Sequence, residues 1–323
     1  MSNSNQLEMM ERIALDLEGV ERALASSFNT GSEDFNTLIR PLSEAGGKRL
    51  RAQLCLLIAN AGTSVEAERI KIAEAVEMLH LATLIHDDVL DQAEIRRGEE
   101  TIHKHKGNKV AILSGDYLFA KAFRIVSDMP HMEYLKVFSH IITCLVEGEF
   151  MQMEDVYRID QGIDRYMTKT QKKTADFMEG CMELGGLLGG WSSDEIMYLK
   201  RYGHALGMAF QITDDIMDYR ETSDTTGKPV GNDLREGLLT YPLLSIVNES
   251  NQNQLLQDIK NLNHGGNEQE IIDYVIAQGG IDNTLRVAQQ YCDDALSALQ
   301  SIRDFDGKEF LVLAVQNLVD RKV

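Results

Sequence analysis

The 323-residue chain is poor in the residues that cross-link or punctuate a fold: it has four Cys, four Pro and one Trp, and aromatics make up 7%. Cys55, Cys144, Cys181 and Cys292 show no CxxC or other close spacing. They read as buried thiols in a reducing, cytoplasmic setting, not as a disulfide frame or a zinc site. Pro41, Pro130, Pro229 and Pro242 leave the long periodic stretches uninterrupted, which favours helices. Positive charge is also scarce. The net charge of −19 argues against nucleic acid and against stable docking on an anionic membrane. Any anion site must therefore be built locally from a few Lys and Arg. No run reaches the ~20 apolar residues that span a bilayer. The start, MSNSNQLEMMERI, lacks the basic-then-apolar order of a signal peptide.

What is present is helical periodicity. Hydrophobic residues make up 43%, enough for one large domain or two ordinary ones. The 14 Met suit adaptable apolar packing. Helices are predicted at about 6–27, 33–44, 48–61, 66–91, 108–127, 131–158, 162–189 and 193–220, then as a series of shorter ones to 321. Ser192 to Glu195 spells a capping box for helix 193–220. A polar loop, 92–107, and a second loop, 221–237, long enough to be a lid, interrupt the series. No β-alternation of useful length is present. The expectation is an all-α fold in a single domain, 1–323.

The chain is organised around LHLATLIHDDVLDQAEIRRG, residues 79–98. Asp87 and Asp91 lie one helical turn apart and project from the same face. Two like charges there cost a helix a few tenths of a kcal/mol, which a hard divalent cation would offset. Arg96 and Arg97 follow and suit phosphate oxygens. One DDxxD arises by chance in about one such chain in seven, and a run of acids is more often a solvated face. A second copy, Asp214, Asp215 and Asp218 in FQITDDIMD, makes coincidence a roughly one-in-a-hundred event. Acids for metal beside bases for phosphate describe a metal-diphosphate site.

Other stretches fit that chemistry. In GGKRLR, residues 46–51, glycines permit close backbone approach, and Lys48, Arg49 and Arg51 supply charge. The bland reading is a glycine cap followed by solvated bases. His80 lies seven residues before Asp87, on the same face two turns away. Lys172, Lys173 and Thr174 interrupt an otherwise amphipathic run.

Together these residues resemble the trans-polyprenyl diphosphate synthases. GGKRLR, His80, DDVLD at 87–91, RRG at 96–98, KTA at 173–175, FQITDDIMD at 210–218 and GKPVGND at 227–233 stand in that family's order. The resemblance implies a bundle of long helices around a deep cavity, usually a homodimer, with the acid clusters facing each other across its mouth. It implies a prenyltransferase joining isopentenyl diphosphate to an allylic diphosphate. Asp87, Asp91 and Asp214 would be the principal Mg²⁺ ligands, with Asp88, Asp215 and Asp218 in support. Arg96, Lys173, Thr174, Gln211 and Lys228 would hold the allylic diphosphate. Lys48, Arg51, His80 and Arg97 would hold the isopentenyl diphosphate. Ala52, where the family usually has Pro, and Tyr241, where it more often has an aliphatic residue, depart from the pattern.

The resemblance also sets an expectation for product length. Ala82 and Thr83 precede Asp87 by five and four residues, where bulky aromatics in the family stop growth early. Leu79 and Val76 lie deeper on the same helix, and none of the four is aromatic. A product of about thirty to thirty-five carbons is expected, with twenty to twenty-five the alternative if Met151 or Met153 closes the channel. A non-catalytic partner subunit, a cation-binding scaffold and a terpene cyclase are the rival readings. The retained acid clusters count against the first. The GGKRLR–His80–Arg97 set counts against the last, which needs no isopentenyl site. Whether a second, different subunit is required stays open.

Overall fold

The computed structural model describes residues 3–28, 32–44, 49–96, 98–220 and 231–320. The chain folds as two compact units. The first comprises Met1–Ser139, Gly180–Met197 and Asp304–Gly307; the second comprises His140–Glu179, Tyr198–Arg303 and Lys308–Val323.

In chain order the early helices are α1 (Asn3–Ser27), α2 (Glu33–Glu44), α3 (Leu50–Asn60), α4 (Glu66–Leu90), α5 (Ile102–Lys106), α6 (Asn108–Ser127) and α7 (Met132–Glu154). Then come α8 (Ile163–Thr170), a π-helical turn (Gln171–Ala175), α9 (Asp176–Leu188) and α10 (Ser193–Arg220). The last are α11 (Asn232–Glu236), α12 (Tyr241–Leu244), α13 (Gln252–Asn261), α14 (Glu268–Ala277), α15 (Gly280–Gln300) and α16 (Lys308–Asp320). The all-α expectation holds.

In the first unit α4 is the central element, with α1, α3 and α6 packed on it. Ile72, Ala75, Val76, Leu79 and Ala82 are wholly buried along α4. Each of the buried Ile, Val and Leu side chains contributes roughly 1.5–3 kcal/mol. The approach of α6 is close: a Cβ on Gly115 would lie 2.1 Å from His86 Nε2. Charge inside this core is paired. Asp16 accepts from Arg69 Nε at 2.9 Å and from Asn60 Nδ2 at 2.7 Å. Removing one partner of such a buried pair costs about 3–5 kcal/mol.

The second unit gathers Tyr166, Ala175, Met208, Ile212, Ile216 and Tyr219 with Leu234, Leu243, Ile259, Ile272, Val275 and Ile281. Gly207 on α10 lets Ala175 approach until a Cβ would meet its Cα at 2.6 Å.

The capping box forms as the sequence predicts: Ser192 Oγ accepts from Glu195 N at 3.3 Å, and Glu195 Oε2 accepts from Ser192 N at 3.1 Å. Other boundaries differ. The polar loop 92–107 holds α5 and a two-residue antiparallel ladder, Ile95↔Glu100 and Arg96↔Glu99. Gly98, at φ 85°, sits in the turn of that ladder, in a conformation that costs glycine no steric energy. α7 stops at Glu154 rather than 158, and Tyr157, at φ 57°, lies just beyond its end. The first of the shorter helices after the second loop, expected at about 238–249, is a single turn, Tyr241–Leu244, with Pro242 near its start. Pro41 lies inside α2, near its C-terminal end, where it cannot donate the backbone hydrogen bond that another residue would make there. The proposed lid lies mostly in 221–230, outside the described residues.

Candidate active site

The two aspartate motifs share one design. Asp88 and Asp215, the middle acids, are both buried at 5% exposure and anchored by partners. The outer acids are more accessible: Asp91 and Asp214 are exposed, and Asp87 and Asp218 are half-buried. The i, i+4 spacing puts the outer pair of each motif on one face, and the middle acid points roughly 100° from the first and about 60° from the last.

In the first unit the motif ends α4, and Asp91 is its C-cap, its N–H donating to Asp87 O at 2.8 Å. Arg96 Nε donates to Asp88 Oδ1 at 2.5 Å, so the ladder after α4 is tied back to the motif. The Asp88–Arg96 pair lines a cavity of about 450 Å³ with Leu81, Leu84 and Ile85 of α4 and Leu38 of α2. Those α4 residues share a different face from Val76, Leu79 and Thr83. Val76, Leu79 and Ala82 are wholly buried, and Thr83 Oγ1 donates to His80 O at 2.8 Å.

The basic stretch before α3 is divided between two tasks. Arg49 holds φ 44° at the N-cap of α3, and its buried guanidinium pairs with Glu21 at 2.8 Å and Glu77 at 3.3 Å. It is a structural cation. Arg51 Nη1 lies 3.4 Å from His80 Nε2, so α3 and α4 bring these two sequence-predicted residues together. Burial pushes the Arg51 guanidinium down, opposed by the negative charge of Glu77 and Asp87. Lys48, Arg97 and Lys228 lie outside the described residues.

In the second unit Asp215 accepts from Tyr166 Oη on one oxygen and from Gln211 Nε2 at 3.0 Å on the other. Gln211 in turn accepts from Thr174 Oγ1 at 2.9 Å. Burial pushes the Asp215 carboxyl up to about 6, against the pull of Tyr166 and Gln211. Asp218 is occupied on both oxygens by backbone N–H groups, Asn232 and Asp233, each at 3.1 Å. It therefore fastens the start of α11 to α10.

The π-helical turn presents Lys173 and Thr174 toward this network. Lys173 Nζ donates to Gln152 at 2.9 Å and pairs with Glu149. The turn approaches α7 at Gly148, where a Cβ would lie 2.7 Å from Lys173 Cγ. Lys173, Thr174, Gln211 and Asp215 line a cavity of about 140 Å³.

Two residues that sequence reasoning missed line the same cavity: Tyr166 and Lys169. Lys169 is buried near Asp155, 3.9 Å away, and burial pushes its ammonium down. Its position four residues before Lys173 was a readable signal. Of the Met residues suggested as channel stops, Met153 is 59% exposed and Met151 is half-buried.

In the first unit Asp87 and Asp91, one turn apart, offer hard carboxylate oxygens that fit a Mg²⁺-sized cation keeping part of its water, and the exposed Asp214 offers the same kind of donor in the second unit. Asp88 and Asp215 are held instead by Arg96, Tyr166 and Gln211.

Comparison with known proteins gives the family. The model of the polyprenyl synthetase family matches residues 32–278. The chain is 33% identical over 312 residues to octaprenyl diphosphate synthase of Escherichia coli, covering 95% of this chain and 96% of that one. The solved heptaprenyl diphosphate synthase of Staphylococcus aureus superposes with a TM-score of 0.88 at 28% identity, over 96% of this chain and 99% of that one. A polyprenyl synthase from Caulobacter crescentus, solved with calcium and isoprenyl diphosphate, gives a TM-score of 0.88 at 30% identity, over 100% and 98%. The chain belongs to the polyprenyl synthetase family and is a polyprenyl diphosphate synthase, a prenyltransferase of isoprenoid biosynthesis.

Proposed function

We propose that this chain condenses isopentenyl diphosphate with an allylic diphosphate, repeatedly, to a trans-polyprenyl diphosphate of about thirty to thirty-five carbons. The observation that carries the reading is the second motif. Its middle acid is locked by Tyr166 and Gln211, while Lys173 and Thr174 share its cavity and Asp214 stays exposed. Carboxylates for a cation and donors for an anion then stand at one place.

The hard step is breaking the allylic C–O bond, whose electron pair leaves with diphosphate. The isopentenyl double bond attacks the allylic carbon, and the departing diphosphate takes the final proton. Each 1.36 kcal/mol of preferential stabilisation of the separating charge gives tenfold in rate. Lys173, Thr174, Gln211, Arg96 and Lys228 hold and orient the allylic diphosphate. Lys48, Arg51, His80 and Arg97 hold the isopentenyl diphosphate. Arg96 exchanges its Asp88 partner for phosphate oxygen. Asp87, Asp91 and Asp214 would hold Mg²⁺, with Asp88, Asp215 and Asp218 in support, and the bound ion would stabilise charge on the leaving oxygens. Both motifs serve one reaction, and we take 1–323 as one catalytic domain acting as a cytoplasmic homodimer. Walls that include Ala82, Thr83, Leu79 and Val76 along α4 keep water from the allylic carbocation left when diphosphate departs, and leave room for growth.

The test is purified protein with Mg²⁺, radiolabelled isopentenyl diphosphate and an allylic primer, followed by chromatography of the products. Label is expected in chains longer than fifteen carbons. Absence of incorporation, or a product that stops at fifteen, overturns the reading.

A further inference from the structure

Outside the diphosphate machinery the second unit contains a mixed nitrogen, sulfur and oxygen cluster. His140 and Cys144 lie one turn apart on α7, and Asp176 opens α9 directly after the π-helical turn. A ligand atom of each lies within 4.8 Å of the other two. Cys144 Sγ is 3.6 Å from His140 Nε2. Tetrahedral zinc, with Zn–S near 2.3 Å and Zn–N near 2.05 Å, holds its sulfur and nitrogen about 3.6 Å apart. The carboxylate is oriented from behind, since Gln171 Nε2 donates to Asp176 Oδ1 at 3.2 Å. Cys144 and Asp176 are buried, and His140 is exposed and gives access from solvent.

We propose that His140, Cys144 and Asp176 form a binding site for a borderline-soft divalent metal, Zn²⁺ in particular, separate from the Mg²⁺ of the reaction. The site has three protein ligands and room for a solvent ligand, the composition of an exchangeable site rather than a closed structural one. Thiolate selects against Mg²⁺, which takes oxygen ligands. The linear spacing of the cysteines gives no hint of it, because the third ligand comes from another helix.

Binding exchanges a proton for the metal: the Cys144 S–H bond breaks, an S–metal bond forms, and the proton goes to solvent. Burial pushes the Cys144 thiol up to about 12, with Asp176 and Glu147 adding to the rise and Lys172 opposing it. Lys172 is paired with Glu147 at 2.5 Å, so the ammonium beside the site is neutralised. Beyond Asp176 stand Glu179 and His204, which pair at 3.6 Å, and Lys200, 3.4 Å from Glu179.

The experiment is titration of the full chain with Co²⁺, a spectroscopic stand-in for zinc. A thiolate-to-cobalt charge-transfer band should saturate at one equivalent and vanish when Zn²⁺ is added. Cys144→Ser should abolish it, and Cys292→Ser should leave it unchanged. His140→Ala removes an exposed side chain and keeps the fold, and should weaken cobalt binding by more than about a hundredfold, beyond the loss typical of an outer-shell partner. The absence of a charge-transfer band in the unmodified protein overturns the assignment. So does an undiminished band in Cys144→Ser, or undiminished affinity in His140→Ala.

Discussion

Asp215→Asn should make the metal-free protein more stable, by an amount that depends on pH. Asp215 is buried, and its carboxyl is pushed from 3.8 up to about 6. The folded state therefore binds this proton more tightly than the unfolded state. Its contribution to stability is most favourable below 3.8, falls as pH rises toward 6, and is level above that. The rise from 3.8 to about 6 corresponds to about 3 kcal/mol, at 1.36 kcal/mol per tenfold in proton affinity. Asparagine does not titrate, and it can keep both contacts: its carbonyl accepts from Gln211, and its amide donates to the Tyr166 hydroxyl. The gap between variant and parent should be near zero below 3.8, about half open near pH 5, and about 3 kcal/mol above 6. Urea unfolding with a chelator present, repeated across that range, measures it. A variant less stable than the parent at neutral pH, or a gap independent of pH, refutes the reasoning. Prenyl transfer should fall in the same variant, as stability gained by neutralising a functional group usually costs activity.

Asp87→Ala or Asp214→Ala should lower activity by orders of magnitude while circular dichroism stays helical, since alanine is a good helix former; a fully active Asp87→Ala enzyme would contradict the metal assignment. Arg97→Ala should raise KM mainly for isopentenyl diphosphate and Lys228→Ala mainly for the allylic substrate, so steady-state kinetics with each substrate varied separates the two sites. Equal effects of both changes on both substrates would remove that partition. Ala82→Phe should shift the product toward fifteen carbons at a packing cost of about 1–3 kcal/mol, read by product chromatography and thermal unfolding. An unchanged distribution in a folded, active Ala82→Phe protein would show that this face lines no channel.

The long helices were legible because their apolar residues recur at three and four, and α4 and α10 match expectation to within a residue at each end. The capping box was legible because it is purely local. What the sequence hid depends on distant partners. DDxxD reads as three acids of one kind, yet packing sets Asp88 and Asp215, buried on side-chain partners, and Asp218, held by backbone N–H groups, apart from Asp87, Asp91 and Asp214. GGKRLR reads as a run of bases, yet Arg49 is spent on Glu21 and Glu77, more than 20 residues away along the chain in each direction. The loop 92–107 offered only a two-residue ladder, too short for alternation to register. Lys169 was passed over because its isolation from solvent comes from residues far along the chain.

The turn Gln171–Ala175 is, in counting terms, a helix with one residue too many. Deleting a single residue there would let α8 run into α9 as one regular helix. Everything on one side would then rotate by roughly 100° relative to the other. Thr174 and Lys173 could not both keep their present partners, Gln211 and Gln152, while Tyr166 stayed on Asp215. The segment therefore tolerates substitution at its outward positions far better than any change in its length. A relative that has lost one residue here would need a different grip on its anionic substrate, even with both aspartate motifs intact.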